Sequence, residues 1–237
     1  FEMNGVADLG LLKMDFLGLR NLDVMDITLK LIEKSQGIKV DIDNVPLDDE
    51  KTFELLKKAQ TIGVFQLEGG PMRSLIRSLQ PSSFEDVAAL VALYRPGPMA
   101  ANMHLDYADR KNGRKPVTYY HEDVKEILEP SFGLMIYQEQ LMRVAQKLAG
   151  YSLEEADNLR KAMGKKKREI IQAHREKFAQ GCEDRGYGTK FGHEMFDIIE
   201  PFADYSFNKS HSVGYGYIAY QTAYLKANYP QEYLSAL

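Results

Sequence analysis

The most informative stretch of the chain is residues 206–226, which read Ser-Phe-Asn-Lys-Ser-His-Ser-Val-Gly-Tyr-Gly-Tyr-Ile-Ala-Tyr-Gln-Thr-Ala-Tyr-Leu-Lys. Ser210 is a suitable N-cap, because its hydroxyl can accept a hydrogen bond from the first free backbone N–H groups of a helix. The sequence therefore predicts a helix from Ser210 to about residue 228. Three tyrosines recur on one face at i, i+3 and i+7, a spacing more typical of core packing than of a stacking platform: Tyr217, Tyr220 and Tyr224.

The same helix carries two glycines, Gly214 and Gly216, in its first turns. Each costs about 1 kcal/mol relative to alanine inside a helix. Such a cost is understandable if another body, for example a base pair, approaches the backbone closely. Lys209, His211 and Tyr215 are candidates to contact a sugar, a base or a phosphate there. A lone histidine is by default a capping or core residue, so both interpretations of His211 stay open.

Residues 160–168 form the main basic cluster, with six positive charges in nine residues that include Arg160, Lys161 and Lys165. Arginine suits bidentate phosphate contact, and lysine acts as a flexible point charge. Gly164 is predicted to end one helix, which places the following lysines at the start of the next. Positive charge is unfavourable there unless an anion binds. The pattern indicates a phosphate ligand, and a solvated run of charge is the alternative.

Near the N-terminus, residues 9–16 form a mostly apolar run that predicts a buried strand, polar only at Lys13 and Asp15. These two side chains would share one strand face. A carboxylate in an apolar strand is costly unless it meets a cation, a metal or hydrogen bonds. Asp15 is therefore either an ion-pair partner of Lys13 at a strand end or a metal ligand beside a phosphate-facing lysine. A two-metal clamp needs several converging carboxylates, and no other stretch of this chain supplies them at a suitable spacing.

Composition excludes several classes of protein. The 237 residues are 44% hydrophobic and 27% charged, the balance of an ordinary globular protein. No apolar run approaches the length of about 18 residues that a transmembrane helix needs. The single cysteine, Cys182, excludes a disulfide framework and a Cys-rich zinc site. A net charge of −4 excludes a uniformly basic nucleic-acid binder but leaves local basic patches possible.

Apolar periodicity predicts a mostly α-helical protein with few short strands. Helices are predicted over residues 21–34, 48–56, 72–79, 82–94, 121–128, 137–148, 153–163, 170–182, 190–199 and 210–228. A second strand is predicted at residues 63–67 and a loop at 111–120. We expect a domain boundary within residues 35–50. The opening and closing residues suggest a piece of a longer protein.

Two shorter segments carry polar groups in unusual settings. Tyr94-Arg95-Pro96-Gly97-Pro98 fixes an arginine in an extended turn, because the residue before proline avoids the α region. Residues 137–140 begin a helix with polar groups that serve either as structural hydrogen bonds or as a contact surface. Neither segment indicates a function on its own. The sequence has no Walker A loop, GxGxxG, HExxH or nucleophile elbow.

Taken together, these segments resemble one family, the alpha subunit of bacterial DNA polymerase III, a C-family replicative polymerase. The resemblance covers essentially the whole chain. It rests on segments that follow one another in the order of the family: 13–19 (Lys-Met-Asp-Phe-Leu-Gly-Leu), 63–68 (Gly-Val-Phe-Gln-Leu-Glu), 93–98 (Leu-Tyr-Arg-Pro-Gly-Pro), 136–140 (Ile-Tyr-Gln-Glu-Gln), 159–166 (Leu-Arg-Lys-Ala-Met-Gly-Lys-Lys) and 207–211 (Phe-Asn-Lys-Ser-His).

The resemblance implies a division into the end of a palm domain at residues 1–35, bearing the strand, and a helical fingers domain at 36–237. It implies that Asp15 is the third of three catalytic aspartates that hold two Mg²⁺ ions, the other two belonging to a segment upstream. Two further groups of residues receive roles by the same resemblance. Arg160, Lys161, Lys165 and Lys13 would bind the triphosphate, and Asn208, Lys209, Ser210, His211 and Tyr215 would contact the nascent base pair or the template.

Lys161 departs from the family, which often has two arginines where this chain has Arg160-Lys161. The implied reaction is attack of a primer 3′-hydroxyl on the α-phosphate of a deoxynucleoside triphosphate, with release of pyrophosphate. Implied partners are primer–template DNA, deoxynucleoside triphosphates, a sliding clamp and other replisome subunits, in the bacterial cytoplasm. We expect the chain alone to be inactive.

A non-catalytic helical module that binds nucleic acid or protein is the alternative. The two differ in their ligand, because a generic module would prefer long polyanions and bind them with steep salt dependence.

Overall fold

Residues 206–226 contain most of the helix against which much of the fold packs. The computed structural model describes residues 1–2, 5–6, 9–12, 14, 16, 18–164, 168–202 and 206–237. The helix runs over Lys209–Asn228, within one residue of its predicted start. It packs against helices from the first third of the chain and against the short helix that follows it. This confirms the helix predicted from the most informative stretch.

The described residues form thirteen α-helices: α1 Arg20–Gln36, α2 Glu50–Lys57, α3 Gly70–Leu79, α4 Phe84–Leu93, α5 Pro96–Ala100, α6 Met103–Lys111, α7 Lys125–Leu128, α8 Gln138–Ala149, α9 Leu153–Gly164, α10 Arg168–Asp184, α11 Thr189–Phe202, α12 Lys209–Asn228 and α13 Pro230–Ala236. Short 3₁₀ helices lie at Ile42–Asn44, Glu122–Val124 and Glu129–Ser131. In the part of the chain described, no helix is long and apolar enough to cross a membrane.

The mostly α prediction is confirmed, with differences where turn chemistry overrides periodicity. The helix predicted at residues 121–128 shrinks to α7, because the turn before it closes as a 3₁₀ helix capped by His121. The helices α5 and α6 were not predicted. Proline at the first position of α5 starts that helix rather than ending the one before it.

Helix α12 approaches α4 closely through small residues. A Cβ at Gly216 would lie 3.1 Å from the Cα of Ala88, and the Ser212 hydroxyl donates to the Ala88 carbonyl over 2.5 Å. Gly216 therefore serves a contact between two helices of the protein, and the prediction that an outside body needs this glycine is wrong. The prediction of Ser210 as N-cap is also wrong, because the Asn208 side chain takes that position.

The tyrosines of α12 pack into the core, which confirms the interpretation of their spacing. Tyr220 is fully buried, and its hydroxyl donates to the Pro46 carbonyl over 2.7 Å. Tyr217 is half-buried against Phe84, and its hydroxyl donates to the Asp43 carbonyl over 2.7 Å. The hydroxyls thus anchor the segment before α2 onto α12.

A second core lies among α8, α9, α10 and α11, filled by fully buried side chains that include Leu148, Phe178 and Phe196. Two glycines, Gly181 and Gly192, let the helices of this core approach closely. A Cβ at Gly181 would lie 2.1 Å from the Ala149 carbonyl oxygen, so only a glycine fits there without a shift of the backbone. This core carries the first two residues of the basic cluster, because Arg160 and Lys161 lie on α9.

Helix α1 attaches to the C-terminal helix α13. Met25 and Ile32 pack with the fully buried Tyr233. The Glu232 carboxylate accepts hydrogen bonds from Ser35 over 2.7 Å and Gln36 over 2.8 Å. The division of the chain at residue 35 stays a prediction, since the structure does not test where one domain ends.

The predicted strands are not found among the described residues. The stretch at 63–67 is a series of turns, so that prediction is wrong: Gln66 adopts a left-handed φ of 61°, and the Thr61 hydroxyl donates to the Leu67 carbonyl over 2.6 Å. Its apolar residues point into the core from turns. Of residues 9–16, those described form turn or irregular backbone, so a strand-bearing palm remnant is unconfirmed. Lys13 and Asp15 lie outside the described residues.

We expect Gly192→Ala, in α11, to lower the free energy of unfolding by about 1–3 kcal/mol, the usual cost of overpacking. A Cβ there would lie 2.6 Å from the Cα of Ala179 in α10, and two helix backbones cannot both move aside. Urea denaturation measures the change. Gly70→Ala is the control, because its Cβ would meet no atom within 4 Å. Equal stability of the two variants would contradict the close packing of α10 and α11.

Candidate functional site

The site is built around one pair of residues from distant parts of the chain. Tyr137 and Phe207 form an isolated parallel β-bridge. The Phe207 N–H donates to the Ile136 carbonyl over 3.1 Å, and the Gln138 N–H donates to the Phe207 carbonyl over 2.9 Å. Helices α8 and α12 begin immediately after these residues. The bridge therefore places the starts of two helices side by side.

A buried glutamine holds one side of the bridge. The Gln140 side-chain oxygen accepts from the N–H groups of Ile136 over 2.9 Å and Tyr137 over 3.1 Å. Its amide nitrogen donates to the Ile127 carbonyl over 3.2 Å and the Ser131 hydroxyl over 2.6 Å. Every hydrogen-bonding role of this amide is filled by structural partners. Gln140 is thus a support for the site and not a ligand contact.

Glu139 and Asn208 together cap the start of α12. The Asn208 side-chain oxygen accepts from the His211 N–H over 2.8 Å, and its amide nitrogen donates to Glu139 over 3.0 Å. The second Glu139 oxygen accepts from the Lys209 N–H over 3.0 Å. Both ends of the Asn208 side chain are therefore engaged within the protein. Because a carboxylate already occupies this helix start, recognition of an anion falls to the side chains around it.

Aromatic rings form a row from the bridge along α12. The ring centroids of Phe207 and His211 are 5.5 Å apart, those of His211 and Tyr215 4.4 Å, and those of Tyr215 and Phe65 5.6 Å. His211 is exposed and Tyr215 is half-buried. The row leaves aromatic surface in contact with solvent, which suits stacking with a base.

Two cations lie over aromatic rings at the bridge. The guanidinium carbon of Arg95 is 4.5 Å from the ring centroid of Phe207, and the Lys209 ammonium is 5.6 Å from that of Tyr137. Neither side chain forms an ion pair within the part of the chain that the structure describes. Burial raises the pKa of Tyr137 to about 12, so its hydroxyl stays protonated.

Arg160 and Lys161 share one carboxylate. Asp157 Oδ1 accepts from Arg160 Nε over 2.9 Å and Nη2 over 2.7 Å, and Oδ2 lies 2.7 Å from the Lys161 ammonium. The third Arg160 nitrogen is 3.5 Å from the Gln138 side-chain oxygen, beside the bridge. Lys161, and then Arg160, hold the pKa of the Asp157 carboxyl below its usual range. The two cations are already neutralised in part.

Of the predicted site residues, the structure brings Lys209, His211 and Tyr215 together around the bridge and places Arg160 at its edge. Ser210 is exposed in the first turn of α12. Lys165, Lys13 and Asp15 lie outside the described residues. Within the residues described, no three His, Cys, Asp or Glu side chains converge to hold a metal ion.

Sequence reasoning missed the structural role of Asp157 and the position of Arg95. Asp157 was detectable, because it lies three and four residues before Arg160 and Lys161, the spacing of helical ion pairs. Glu139 and Gln140 were noted, and their hydrogen bonds favour the structural interpretation. Arg95 was placed in an extended turn, but no local signal indicates its contact with Phe207.

The chain is similar to known proteins over almost its whole length. A family model for the bacterial DNA polymerase III alpha subunit finger domain matches residues 21–186. The DNA polymerase III subunit alpha of Mycobacterium leprae (strain TN) is 55% identical over 233 residues, 97% of this chain and 20% of that protein. Those of Bacillus subtilis (strain 168) and Escherichia coli (strain K12) are 49% and 46% identical, over 100% of this chain and 21% of each protein. The chain thus spans about one-fifth of the length of these relatives.

We expect Lys161→Met to raise the carboxyl pKa of Asp157 toward its usual value, because Lys161 is the main cause of the lowering. The ion pairs stabilise the fold above that pKa, and their contribution is lost as the pH falls through it. Carbon-13 NMR titration of the aspartate side chains measures the change. Lys177→Met is the matched control, because Lys177 pairs with Glu155 and should leave Asp157 unaffected. An unchanged Asp157 titration in Lys161→Met would refute the ion pair between Lys161 and the carboxylate that it shares with Arg160.

Proposed function

Because the chain belongs to the family of bacterial DNA polymerase III alpha subunit finger domains, whose model matches residues 21–186, we propose that it serves as the fingers of a replicative DNA polymerase. Its task in this proposal is to bind the incoming deoxynucleoside triphosphate and the nascent base pair during template-directed synthesis. The observation that carries the proposal is the meeting of residues 94–98, 137–140 and 207–211 at one bridge, with Arg160 at its edge.

Arg160 and Lys161 are assigned to the triphosphate, together with Lys165 and Lys13, whose roles rest on the resemblance alone. The guanidinium of Arg160 offers parallel donors to phosphate oxygens, and the Lys161 ammonium adds a point charge. A triphosphate carries more negative charge than the single carboxylate of Asp157. Binding is therefore an exchange of one anionic partner for a more highly charged one.

The exposed aromatic surface of His211 and Tyr215 is assigned to the nascent base pair. Stacking tolerates any base, because every base presents a π face. Lys209 and Ser210, exposed in the same turn, would contact the sugar or phosphate of the template. Asn208 contributes by fixing the first turn of α12, since both ends of its side chain are already engaged. Base pairing, not these side chains, would read the template sequence.

The proposed reaction joins the primer 3′-hydroxyl to the α-phosphate and releases pyrophosphate. Asp15 is assigned as a catalytic metal ligand from the resemblance only, and it lies outside the described residues. The described residues are therefore assigned to binding and orienting the nucleotide, and none of them is assigned to holding the metal ions. We place the protein in the bacterial cytoplasm and assign contacts with a sliding clamp or other replisome subunits to no described residue.

The test is nucleotide use by the full-length subunit on primer–template DNA. We expect Arg160→Ala to raise the KM for a deoxynucleoside triphosphate about 10- to 100-fold, because a hydrogen bond to a charged group is worth about 1.5–3 kcal/mol. Arg77→Ala, which removes an exposed arginine bonded to Ser74, is the matched control and should change KM less than twofold.

Three results would oppose parts of this proposal. An unchanged KM in Arg160→Ala would remove the triphosphate role from α9. Binding only of long polyanions, with steep salt dependence and no saturation by nucleotide, would favour a generic nucleic-acid-binding module instead. Primer extension by the isolated 237-residue chain would contradict the expectation that it is inactive alone.

Gly214 allows a separate test of close approach at α12. It is exposed, and a Cβ there would meet no atom of the described residues within 4 Å, so packing among those residues gives no reason for glycine. We expect Gly214→Ala to raise the free energy of unfolding by about 0.5–1 kcal/mol but to weaken binding of primer–template DNA with nucleotide. Thermal unfolding and fluorescence anisotropy measure the two effects. A stabilised variant that binds like the wild type would show that no ligand approaches this backbone.

A further inference from the structure

Arg95 has a side chain that the fold does not satisfy. It is the N-cap of α5, with an extended backbone at φ −145° and ψ 154°, and the following Pro96 favours that conformation. The turn directs its guanidinium onto Phe207, 4.5 Å from the ring centroid. The nitrogen Nη1 is buried and has no hydrogen-bond partner among the residues that the structure describes. A buried N–H of a charged group without an acceptor is unfavourable and calls for an explanation.

The surroundings supply no counter-charge for this cation. Within the described residues, Arg95 forms no ion pair and its side chain forms no hydrogen bond, whereas other arginines meet such partners. Arg160 bonds to Asp157, Arg114 to Asp109 and Arg110 to the Phe132 carbonyl. Burial lowers the pKa of Arg95, since the surrounding protein solvates the charge poorly. A positive charge held in this way is ready to bind an anion.

The position of Arg95 joins it to the site at the bridge. Phe207, on which it stacks, is one half of the Tyr137–Phe207 pair and immediately precedes the cap of α12. Arg95 is half-buried, and only Nη1 among its nitrogens is buried without a partner. The remaining guanidinium nitrogens are not among the fully buried unpartnered atoms of the described residues, so they are open to a ligand beside Phe207. Stacking orients a planar guanidinium while leaving its in-plane donors free.

We propose that Arg95 is a further phosphate-binding residue of this site, which donates hydrogen bonds from its ring-stacked guanidinium to a phosphate oxygen of the bound nucleotide or DNA. This inference rests on the proposed function. An arginine suits the role because its fork of donors matches two phosphate oxygens. Phe207 suits it because the ring holds the cation without competing for the donors that a phosphate would take.

The experiment uses the full-length subunit with Arg95→Gln, Arg95→Lys and the control Arg77→Gln. Two measurements separate the sources of phosphate. One is the dissociation constant of primer–template DNA across a salt series without nucleotide, and the other is the KM for a deoxynucleoside triphosphate. If the ligand is a DNA phosphate, Arg95→Gln weakens DNA binding about tenfold and lowers the slope of log K against log salt by about 0.7–0.9. If it is the triphosphate, KM rises about tenfold while DNA binding is unchanged.

Arg95→Lys keeps the charge and loses the fork, so we expect it to retain the salt slope but to recover only part of the affinity. Thermal unfolding of each variant shows whether it is folded. Folded Arg95→Gln with both constants within twofold of the wild type would overturn the proposal and leave Arg95 a structural contact. Arg160→Ala, measured in parallel, reports on the proposed function separately. If its KM is unchanged while Arg95→Gln weakens DNA binding, the triphosphate role fails and the Arg95 inference stands.

Discussion

The pairing of Tyr137 with Phe207 constrains most of the remaining structure. Tyr137 belongs to the first core, around α12 and α4, and the helix that follows it, α8, belongs to the second core. Phe207 precedes α12, so the bridge ties the start of each helix to the other. Two backbone hydrogen bonds would contribute little alone. The buried amide of Gln140 makes the arrangement specific, because it satisfies groups on both sides of a turn that water cannot reach.

Charge is arranged locally in a chain that is acidic overall. With a net charge of −4, the protein as a whole would repel a polyanion at long range. Close to the bridge, Arg95 and Lys209 lie over aromatic rings and form no ion pair with another described residue. Glu139, an acidic group beside the bridge, caps the start of α12. Attraction for an anion is thus confined to a short range, where geometry and stacking contribute to selection.

Periodicity predicted most helices well, because each buries an apolar stripe against one of two cores. It failed at residues 63–67, where a short apolar run fits a strand equally well. The structure resolves this through the Thr61 hydroxyl and the left-handed Gln66, features that depend on tertiary packing. Residue type alone made Lys209 and His211 candidates, and the structure places both beside the bridge, while their contact with a ligand stays a prediction. The contact of Arg95 with Phe207 was not predictable, because the two residues lie far apart along the chain.

The cations near the bridge differ in their present partners, and therefore in what a bound anion would have to displace. Arg160 and Lys161 rest on Asp157, so a phosphate that takes the donors already paired with it has to displace that carboxylate, which then needs water or a new partner. Such exchange favours ligands with more charge than one carboxylate and penalises weakly charged ones. Arg95 rests on a ring that remains in contact when the donors are taken, so no anion has to leave. In the proposed site, the first arrangement would favour highly charged ligands, and the second would offer a contact to any phosphate that reaches the bridge.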